Sequence, residues 1–317
     1  MPRQILIHIG YHKTGSGWLR RLFFVNPDTG FGWIGKSKPS HPVRRLVAVP
    51  PFEFDAAASR AEFDPLLQRV EDDGLLPVVA FERLVGHPFS AGYDSKEIAN
   101  RLAETFPEGR VLVVIREQRS MILSTYKQYV RQGGTLSLAK FVQPSPPKSM
   151  PLPGFDLRYF EYHHLLSYYR RLFGPDAVLA LTYEQFRADP AEFVAAIARF
   201  AGRPLSSDVL ESLPFATTSN PSPSATALGL RRRLNKLCWA SEVNPAPLFT
   251  SAAIGRPLRR LAAALEQPEL IPRRLSARNE AALRRLVAEV IGDRYAASNR
   301  ITAEITGIDL AAFGWPL

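Results

Sequence analysis

The stretch from Gln4 to Phe24 (QILIHIGYHKTGSGWLRRLFF) constrains the fold more than any other part of the chain. It opens with a short apolar run, Ile5 to Ile9, of the kind that forms a strand buried on both faces. Gly10 ends this run, a short polar loop follows, and an amphipathic run begins after the loop. This order predicts a strand, a phosphate-binding loop and a helix.

The residues of this loop suit a bound anion. Gly15 and Gly17 let the backbone turn its N–H groups inward, and the helix that follows presents the positive end of its dipole. Lys13 adds a positive charge, and Thr14 and Ser16 add hydroxyl groups. A phosphate or sulfate is therefore expected here. The alternative is an ordinary βα turn that contains glycines.

The position of the lysine narrows the ligand. A nucleotide-triphosphate loop of the Walker type has its lysine after the second glycine, whereas Lys13 precedes Gly15. The dinucleotide fingerprint GxGxxG is also absent after the first strand. The order KTGSGW instead resembles the 5′-phosphosulfate loop of sulfotransferases that use 3′-phosphoadenosine 5′-phosphosulfate (PAPS). The resemblance implies a donor site made of Lys13, Thr14, Gly15, Ser16 and Gly17, with Trp18 as the stacking platform for adenine.

Composition sets the outer limits. With 317 residues, 46% of them hydrophobic, the chain can bury a full core. We expect a single sulfotransferase domain over 1–317, with an α/β nucleotide-binding core at 1–202 and a helical cap at 203–317. Lys and Arg number 40 against 30 Asp and Glu, a net charge of +10. This charge favours anionic partners without choosing among nucleotide, polysaccharide, nucleic acid and membrane.

Two features bear on the compartment. Cys238 is the only cysteine, so neither an intrachain disulfide nor a cysteine cluster for zinc can form. No run approaches the ~20 apolar residues of a membrane span. The first apolar run is too short for a signal peptide and leads directly into the predicted loop. A cytoplasmic protein without a membrane span is therefore expected.

The rest of the chain predicts an α/β fold, with a central parallel sheet, helices on both faces, a P-loop-like core and a helical C-terminal part. Val25 to Phe54 and Gly134 to Asp156 are predicted as loops, because both are rich in Gly, Pro or Ser. Further strands are predicted at Pro77–Phe81, Arg110–Ile115 and Val178–Thr182. Helices are predicted at Asp55–Glu71, Asp94–Thr105 with a capping box, Gln118–Gln132, Leu157–Leu172, from Asp189 onward, and at Ala225–Trp239, Ser251–Leu265, Ala277–Val290 and Arg294–Thr306.

A second anion site is predicted after the strand Arg110–Ile115. Arg116 leaves the end of this strand, and Ser124 lies in the helix that follows. A guanidinium matches a phosphate in bidentate geometry, so the pair would suit a terminal phosphate. The arrangement resembles the 3′-phosphate motif of the sulfotransferase family. A surface arginine and a small packing residue are the alternative.

Two further segments bear on the same resemblance. The segment that begins LTYEQF is similar to a family stretch whose tyrosine lies near the adenine, which implies this position for Tyr183. Basic residues from a C-terminal segment complete the 3′-phosphate site in related enzymes, and Arg231 to Arg233 match this only loosely. The Arg-Lys-Gly element of the cytosolic branch is absent, so a bacterial-type C-terminus and a solvated basic helix face are expected. Gly17 replaces a hydroxyl residue that many family members carry.

The implied reaction needs a cation and a base. Sulfonyl transfer builds negative charge on the departing phosphate, which Lys13 would stabilise, and 3′,5′-ADP would be the product. The acceptor must lose a proton to a positioned base. Glu82 is the first candidate because it follows a buried strand, and His41 and His87 are the reserves. Structural roles for all three remain open. No metal is expected.

Three classes of function are consistent with these residues. The first is a PAPS-dependent sulfotransferase (EC 2.8.2 type) that acts on a small-molecule or carbohydrate acceptor. The second is an ATP-dependent kinase with an atypical loop, which would need magnesium. The third is a non-catalytic protein that binds nucleotides or polyanions, supported only by the net charge and the basic segment at Arg231. A nucleic-acid partner is not expected, and neither the acceptor nor the oligomeric state follows from the sequence.

Overall fold

The structure is a computed structural model that describes residues 4–35, 41–143, 154–217, 224–238 and 273–317, together with 241, 243–249 and 257. The chain forms two compact units. The first comprises Met1–Glu117, Arg158–Ser219 and Tyr295–Leu317, and the second comprises Gln118–Leu157 and Asn220–Arg294. Each unit thus combines segments that are distant in sequence. The expectation of one domain with a boundary after residue 202 stays a prediction.

The first unit is built on a five-stranded sheet. Its strands lie in the order β2-β3-β1-β4-β5, and every neighbouring pair is parallel. This topology confirms the predicted α/β class with a central parallel sheet. The strands are β1 (Leu6–His8), β2 (Phe31–Trp33), β3 (Leu76–Ala80), β4 (Arg110–Ile115) and β5 (Val178–Thr182).

The strand order fixes where a ligand can bind. From β1 the chain passes first to β2 and β3, which lie on one side of β1 in the strand order. It then passes to β4 and β5, which lie on the other side of β1. The strand order therefore reverses between β1 and β4, which is the switch point of the sheet. The crevice at the carboxyl ends of these two strands is the usual ligand site in such a sheet. The register pairs His8 with Leu112, so β1 and β4 end at the same edge.

Helices cover the sheet, and those of the first unit are α2 (Val43–Ala48), α3 (Ala56–Asp72), α4 (Ser95–Thr105), α7 (Tyr162–Phe173), α8 (Tyr183–Ala188), α9 (Pro190–Phe200), α10 (Ser207–Ser212) and α13 (Ala296–Thr306), together with α1 (Ser16–Trp18), which continues as a π-helix over Leu19–Phe23. Successive residues of a strand point to opposite faces. All residues of β3 are buried, so both faces of this strand are covered. The second unit contains α5 (Gln118–Arg131), α6 (Leu138–Val142), α11 (Ala225–Cys238) and α12 (Arg273–Ile291).

Several local predictions were wrong. The predicted loop Val25 to Phe54 contains β2 and α2. Asp94 begins α4 without a side-chain capping bond and instead pairs with Arg83, so the capping box is absent there. The predicted loop Gly134 to Asp156 contains α6, and its residues 144–153 lie outside the described residues.

Two helices needed other corrections. α8 was not predicted, although Thr182 and Gln185 form a reciprocal capping box at its start. The predicted helix Leu157–Leu172 is divided into a 3-10 turn at Leu157–Phe160 and α7. The predicted helix Ser251–Leu265 lies outside the described residues except for residue 257. In the described part of the chain, no helix is both long and apolar enough to cross a membrane.

Candidate active site

The loop between β1 and α1 has a strained backbone at Lys13. Its φ is +69°, a left-handed conformation that residues with a side chain rarely adopt. Gly15, at φ +87°, adopts the same region without a steric penalty. Such strain persists only where the surrounding structure enforces it, and it concentrates at functional sites. The strain at Lys13 therefore marks this loop as a candidate site on grounds independent of its sequence.

The two hydroxyl groups of the loop stabilise its shape. Thr14 and Ser16 are 1% and 3% exposed. Thr14 Oγ1 donates to the Tyr11 carbonyl over 2.6 Å, and Ser16 Oγ donates to the same oxygen over 3.5 Å. A hydroxyl has a single proton, so the short Thr14 bond makes this side chain part of the loop's internal framework. Binding of PAPS by Thr14 and Ser16 stays a prediction.

Arg116 joins the end of β4 to the β1–α1 loop. Its Nη1 donates to the Lys13 carbonyl oxygen over 3.0 Å, and its guanidinium carbon lies 4.6 Å from the centre of the Tyr183 ring. Tyr162 Oη donates to the Arg116 carbonyl over 2.7 Å and so fixes the backbone at the same residue. The structure thus brings together Lys13, Arg116 and Tyr183, three residues that the sequence assigned to one ligand.

Two titratable groups near the loop have shifted pKa values: Glu184, half-buried beside Arg116, and His8, buried in β1. Burial raises the pKa of Glu184, although bonding to the Glu117 N–H and the charge of Arg116 act against this rise. Burial also lowers the pKa of His8, in the central strand, to about 4. His8 is therefore neutral near pH 7. A Cβ atom added at Gly10 would overlap the His8 ring and lie 3.1 Å from Ser16 Oγ, so this glycine allows the loop to fold closely over β1.

Glu82 is connected to the loop through an arginine that the sequence analysis missed. Arg20 Nη2 lies 2.5 Å from Glu82 Oε1, and Arg20 Nε donates to the Ser16 carbonyl over 3.2 Å. The Glu82 side chain remains 38% exposed. Arg20 therefore orients the proposed base while also bonding the first turn of α1. Its position four residues after Ser16 on a predicted helix was the only sequence signal.

A second residue that the sequence analysis missed is His12, whose side chain interacts electrostatically with Lys13, Glu82 and His87. The centres of the His12 and His87 rings are 5.6 Å apart. Burial lowers the pKa of His12 to about 4, and the charge of Glu82 partly opposes this shift. His87 Nδ1 accepts a hydrogen bond from the Phe89 N–H over 3.2 Å. His12, Glu82 and His87 thus form a cluster beside the loop, and only the adjacency of His12 to Lys13 could have indicated it.

His41 has different surroundings from the other base candidates. Its ring centre lies 4.9 Å from that of Phe81 and 6.3 Å from that of Phe63. Its Nδ1 accepts from the Val43 N–H over 3.2 Å, at the start of α2. Burial lowers its pKa. These contacts describe a packed histidine at a helix start, and its catalytic role stays a prediction.

Trp18 is packed among aromatic rings and is 3% exposed. Its ring stacks on Phe215, with centres 5.6 Å apart and an interplanar angle of 14°. On Phe23 the corresponding values are 6.5 Å and 15°. Adenine could stack on Trp18 only if the Phe215 ring moved aside. The predicted role of Trp18 as an adenine platform therefore stays a prediction, with this physical condition attached.

The remaining predicted residues belong to the second unit. Ser124 is half-buried in α5, and its role at a phosphate stays a prediction. Arg231 is only 7% exposed and donates to the Arg131 carbonyl over 2.7 Å. The expected solvated helix face was therefore wrong for Arg231, because its guanidinium is used inside the unit. Arg232 is half-buried, and Arg233 is exposed.

Among the described residues, no cluster of three or more His, Cys, Asp or Glu side chains has the arrangement of a metal site. The site in the first unit is instead basic, with Lys13, Arg116 and Arg20 around the β1–α1 loop. Fold and site together define an α/β protein with a basic edge at the switch point of its sheet.

Comparison with known families confirms the resemblance inferred from the sequence. Residues 95–207 match the sulfotransferase family. The matched segment is less than half of the chain, and it includes Arg116, Ser124 and Tyr183 but not the β1–α1 loop. It supports a transferase of the sulfotransferase type. None of the curated proteins matches the sequence.

Solved structures of bacterial sulfotransferases are also similar to this chain. The sulfotransferase from Alicyclobacillus acidocaldarius shares 18% identity, covers 84% of this chain and 96% of its own, and gives a TM-score of 0.45. The sulfotransferase domain from the curacin biosynthetic pathway shares 14% sequence identity with this chain and gives a TM-score of 0.39. The match covers 66% of this chain and 77% of that domain. The sulfotransferase domain from the Synechococcus PCC 7002 olefin synthase shares 12% sequence identity with this chain and gives a TM-score of 0.39. The match covers 86% of this chain and 96% of that domain.

Proposed function

We propose that this protein transfers a sulfonyl group from PAPS to a hydroxyl or amine of a small-molecule or carbohydrate acceptor in the cytoplasm. The observation that carries the proposal is the hydrogen bond between Arg116 and the Lys13 carbonyl. It supports the proposal because Arg116 contacts the backbone of Lys13 at the edge of the sheet where parallel α/β folds bind ligands. The match of residues 95–207 to the sulfotransferase family supports the same reaction.

The chemistry of this edge suits a bisphosphorylated nucleotide. Lys13 and the backbone of Gly15 to Gly17 would hold the 5′-phosphosulfate, and Arg116 with Ser124 would hold the 3′-phosphate. The guanidinium of Arg116 already stacks over Tyr183, the residue proposed to lie near the adenine.

The donor supplies an electrophilic sulfur and a phosphate leaving group. A bond forms between this sulfur and the acceptor oxygen or nitrogen, while the bond from sulfur to the phosphate oxygen breaks and leaves its electron pair on that oxygen. Lys13 would stabilise the charge that develops there. The acceptor proton would pass to a base in the cluster of His12, Glu82 and His87.

Glu82 remains the first candidate for this base. Its carboxylate is oriented by Arg20, which also bonds the backbone at Ser16. A base held by a second residue loses less orientational freedom when it acts, which favours proton transfer. His87 belongs to the same cluster through its ring contact with His12. His41 packs instead against Phe63 and Phe81, so the geometry favours Glu82 and His87 over His41.

Thermal unfolding with three ligands tests this function. We expect 3′,5′-ADP at about one hundred times its dissociation constant to raise the melting temperature by about 4 °C. Heparin, and ATP with magnesium, should have smaller effects at equal concentration. A larger effect of ATP with magnesium would instead indicate a kinase, and a larger effect of heparin would indicate a polyanion-binding protein. An acceptor screen with labelled PAPS should then detect sulfonyl transfer.

A further inference from the structure

A cavity of about 250 Å³ lies in the first unit beside the β1–α1 loop. Its wall includes Tyr11 from this loop, residues from the start of α4 and residues from α7. Tyr11 also accepts the Thr14 and Ser16 hydroxyl bonds through its carbonyl oxygen. The same residue therefore holds the loop in shape and borders the cavity.

The walls of the cavity present both ring surfaces and polar or charged side chains. They are formed by four tyrosines, Tyr11, Tyr159, Tyr168 and Tyr169. Each of the four hydroxyl groups donates to an oxygen of the protein. Tyr159 and Tyr168 are half-buried and present accessible ring surface, whereas Tyr11 and Tyr169 are buried; the small residues Ala91, Gly92 and Ala99 line another part of the wall. A flat or cyclic ligand can stack on such rings, which contribute apolar contact at a low entropic cost.

The tyrosines that are buried here stay neutral. Burial raises the pKa of Tyr11, Tyr159 and Tyr169 well above its ordinary value. They therefore add no negative charge that would repel an anion. The Gly92 position also requires glycine, because its φ is +61° and an added Cβ atom would overlap the Tyr159 ring.

Cations lie at the opening of the cavity. Lys96 and Arg158 line it and are both exposed. The Lys96 ammonium is 5.8 Å from the centre of the Tyr168 ring, so the charge lies close to an aromatic wall. The lining also contains the carboxylate of Glu161, which lies 3.4 Å from His164 Nε2. This combination of ring walls and two basic side chains suits a ring that carries a carboxylate.

We propose that this cavity is the acceptor site and that it selects a small ring-bearing hydroxy acid. This inference rests on the proposed function. The ring would stack on the tyrosine walls, the carboxylate would bind Lys96 and Arg158, and the hydroxyl would face Tyr11. His87 begins the 3-10 turn Pro88–Ser90, which leads directly to Ala91 and Gly92 in the wall, so the base cluster lies along the chain beside the cavity. An aromatic acid and a sugar acid both have the required chemistry.

Calorimetric titration of the intact protein tests the inference with three probes: 4-hydroxybenzoate, glucuronate and the uncharged p-cresol. We expect at least one acid to bind at least tenfold more tightly than p-cresol, and the better acid identifies the ring type. Lys96→Glu and Arg158→Glu should each weaken its binding at least tenfold. Both should leave the affinity for p-cresol within twofold. Arg69→Glu, at an exposed position on α3, changes the charge equally and should leave all three affinities unchanged.

The outcomes separate this inference from the proposed function. Equal binding of the acids and p-cresol, no binding of any acid, or equal weakening by Arg69→Glu would overturn the acceptor site. Titration of 3′,5′-ADP is run on the same variants, and its affinity should be unchanged in all of them. If 3′,5′-ADP does not bind while the acid binds with the expected charge dependence, the proposed function fails and the cavity stands as an acid-binding site. With labelled PAPS, Lys96→Glu should raise the KM of the acid at constant kcat.

Discussion

Arg116 donates a hydrogen bond from Nη1 to the carbonyl oxygen of Lys13 over 3.0 Å. This bond connects the residue that follows β4 to the strained residue of the β1–α1 loop. The acceptor of this bond is the backbone carbonyl of Lys13 rather than its side chain. We therefore expect the Lys13 ammonium and the Arg116 guanidinium to bind the same anionic ligand. Lys13 and Arg116 therefore lie at one edge of the sheet, and we expect these two residues to be coupled in binding and in stability.

Replacement of Lys13 should separate catalysis from folding. We expect Lys13→Ala to lower kcat by about 100- to 1000-fold, because the charge that stabilises the leaving phosphate is lost. Lys13→Gly should lower kcat by the same factor, but this variant should unfold at a higher urea concentration than Lys13→Ala. Glycine adopts φ +69° without the strain of a side chain, which is a difference of about 1 kcal/mol in the free energy of unfolding. Near-normal turnover in either variant would refute the role of Lys13.

Glu82→Gln tests the proposed base. Loss of the carboxylate should lower kcat by about 100-fold or more. The affinity for 3′,5′-ADP should change little. Glu62→Gln is the matched control, because Glu62 also pairs with an arginine, Arg45, at 2.6 Å. If kcat is the same in both variants, Glu82 is not the base and His87 becomes the candidate.

The buried histidines should make the fold sensitive to acid. Burial lowers the pKa of His8 and of His12 to about 4, against 6.5 for an exposed histidine. Their contribution to stability is therefore complete above pH 6.5 and is lost as the pH falls toward 4. Each can remove at most about 1.4 kcal/mol per pH unit in this window. Glu184 acts in the opposite direction, because burial raises its pKa.

Urea unfolding at pH 7.5 and pH 5.0 measures this loss of stability. His8→Gln should reduce the difference between the two unfolding free energies, because glutamine does not titrate. His164→Asn is the control, since His164 is exposed. An unchanged difference in His8→Gln, or an equal reduction in the control, would contradict the buried-histidine explanation.

Gly10→Ala should destabilise the loop through a named clash. The added Cβ atom would overlap the His8 ring and approach Ser16 Oγ to 3.1 Å. We expect a loss of about 1–3 kcal/mol in the free energy of unfolding. In the His8→Ala background, where the clashing ring is absent, Gly10→Ala should cost less stability than it does in the wild-type protein. Gly229→Ala in α11, where an added Cβ has no neighbour within 4 Å, should instead be neutral or stabilising. Additive effects of Gly10→Ala and His8→Ala would exclude the clash.

The sequence predicted the elements whose residues carry a local signal. β4 and β5 have the predicted bounds, because their apolar runs are bordered by polar or turn residues. β2 was missed because it has only three residues, which is too few for a periodic pattern. Its place at the edge of the sheet depends on parallel pairing with β3, a contact between residues that are distant in sequence.

The same distinction holds for the site. Arg116 could be predicted because it directly follows a strand. Arg20 and Glu82 lie 62 positions apart, and His12 meets His87 only in the folded chain. Their roles depend on tertiary contacts that one sequence does not show. The burial of Arg231 was missed for the same reason, because its partner, the Arg131 carbonyl, lies 100 positions away.

The most direct test of the central claim is the titration of 3′,5′-ADP and 5′-AMP into the wild-type protein, Arg116→Ala and the exposed control Arg187→Ala. The two nucleotides differ only in the 3′-phosphate, and a hydrogen bond to a charged group contributes about 1.5–3 kcal/mol. We predict that the wild-type protein and Arg187→Ala bind 3′,5′-ADP at least tenfold more tightly than 5′-AMP, and that Arg116→Ala loses this preference. A preference that persists in Arg116→Ala, or that is absent from the wild-type protein, would contradict the claim that Lys13 and Arg116 bind one bisphosphorylated nucleotide.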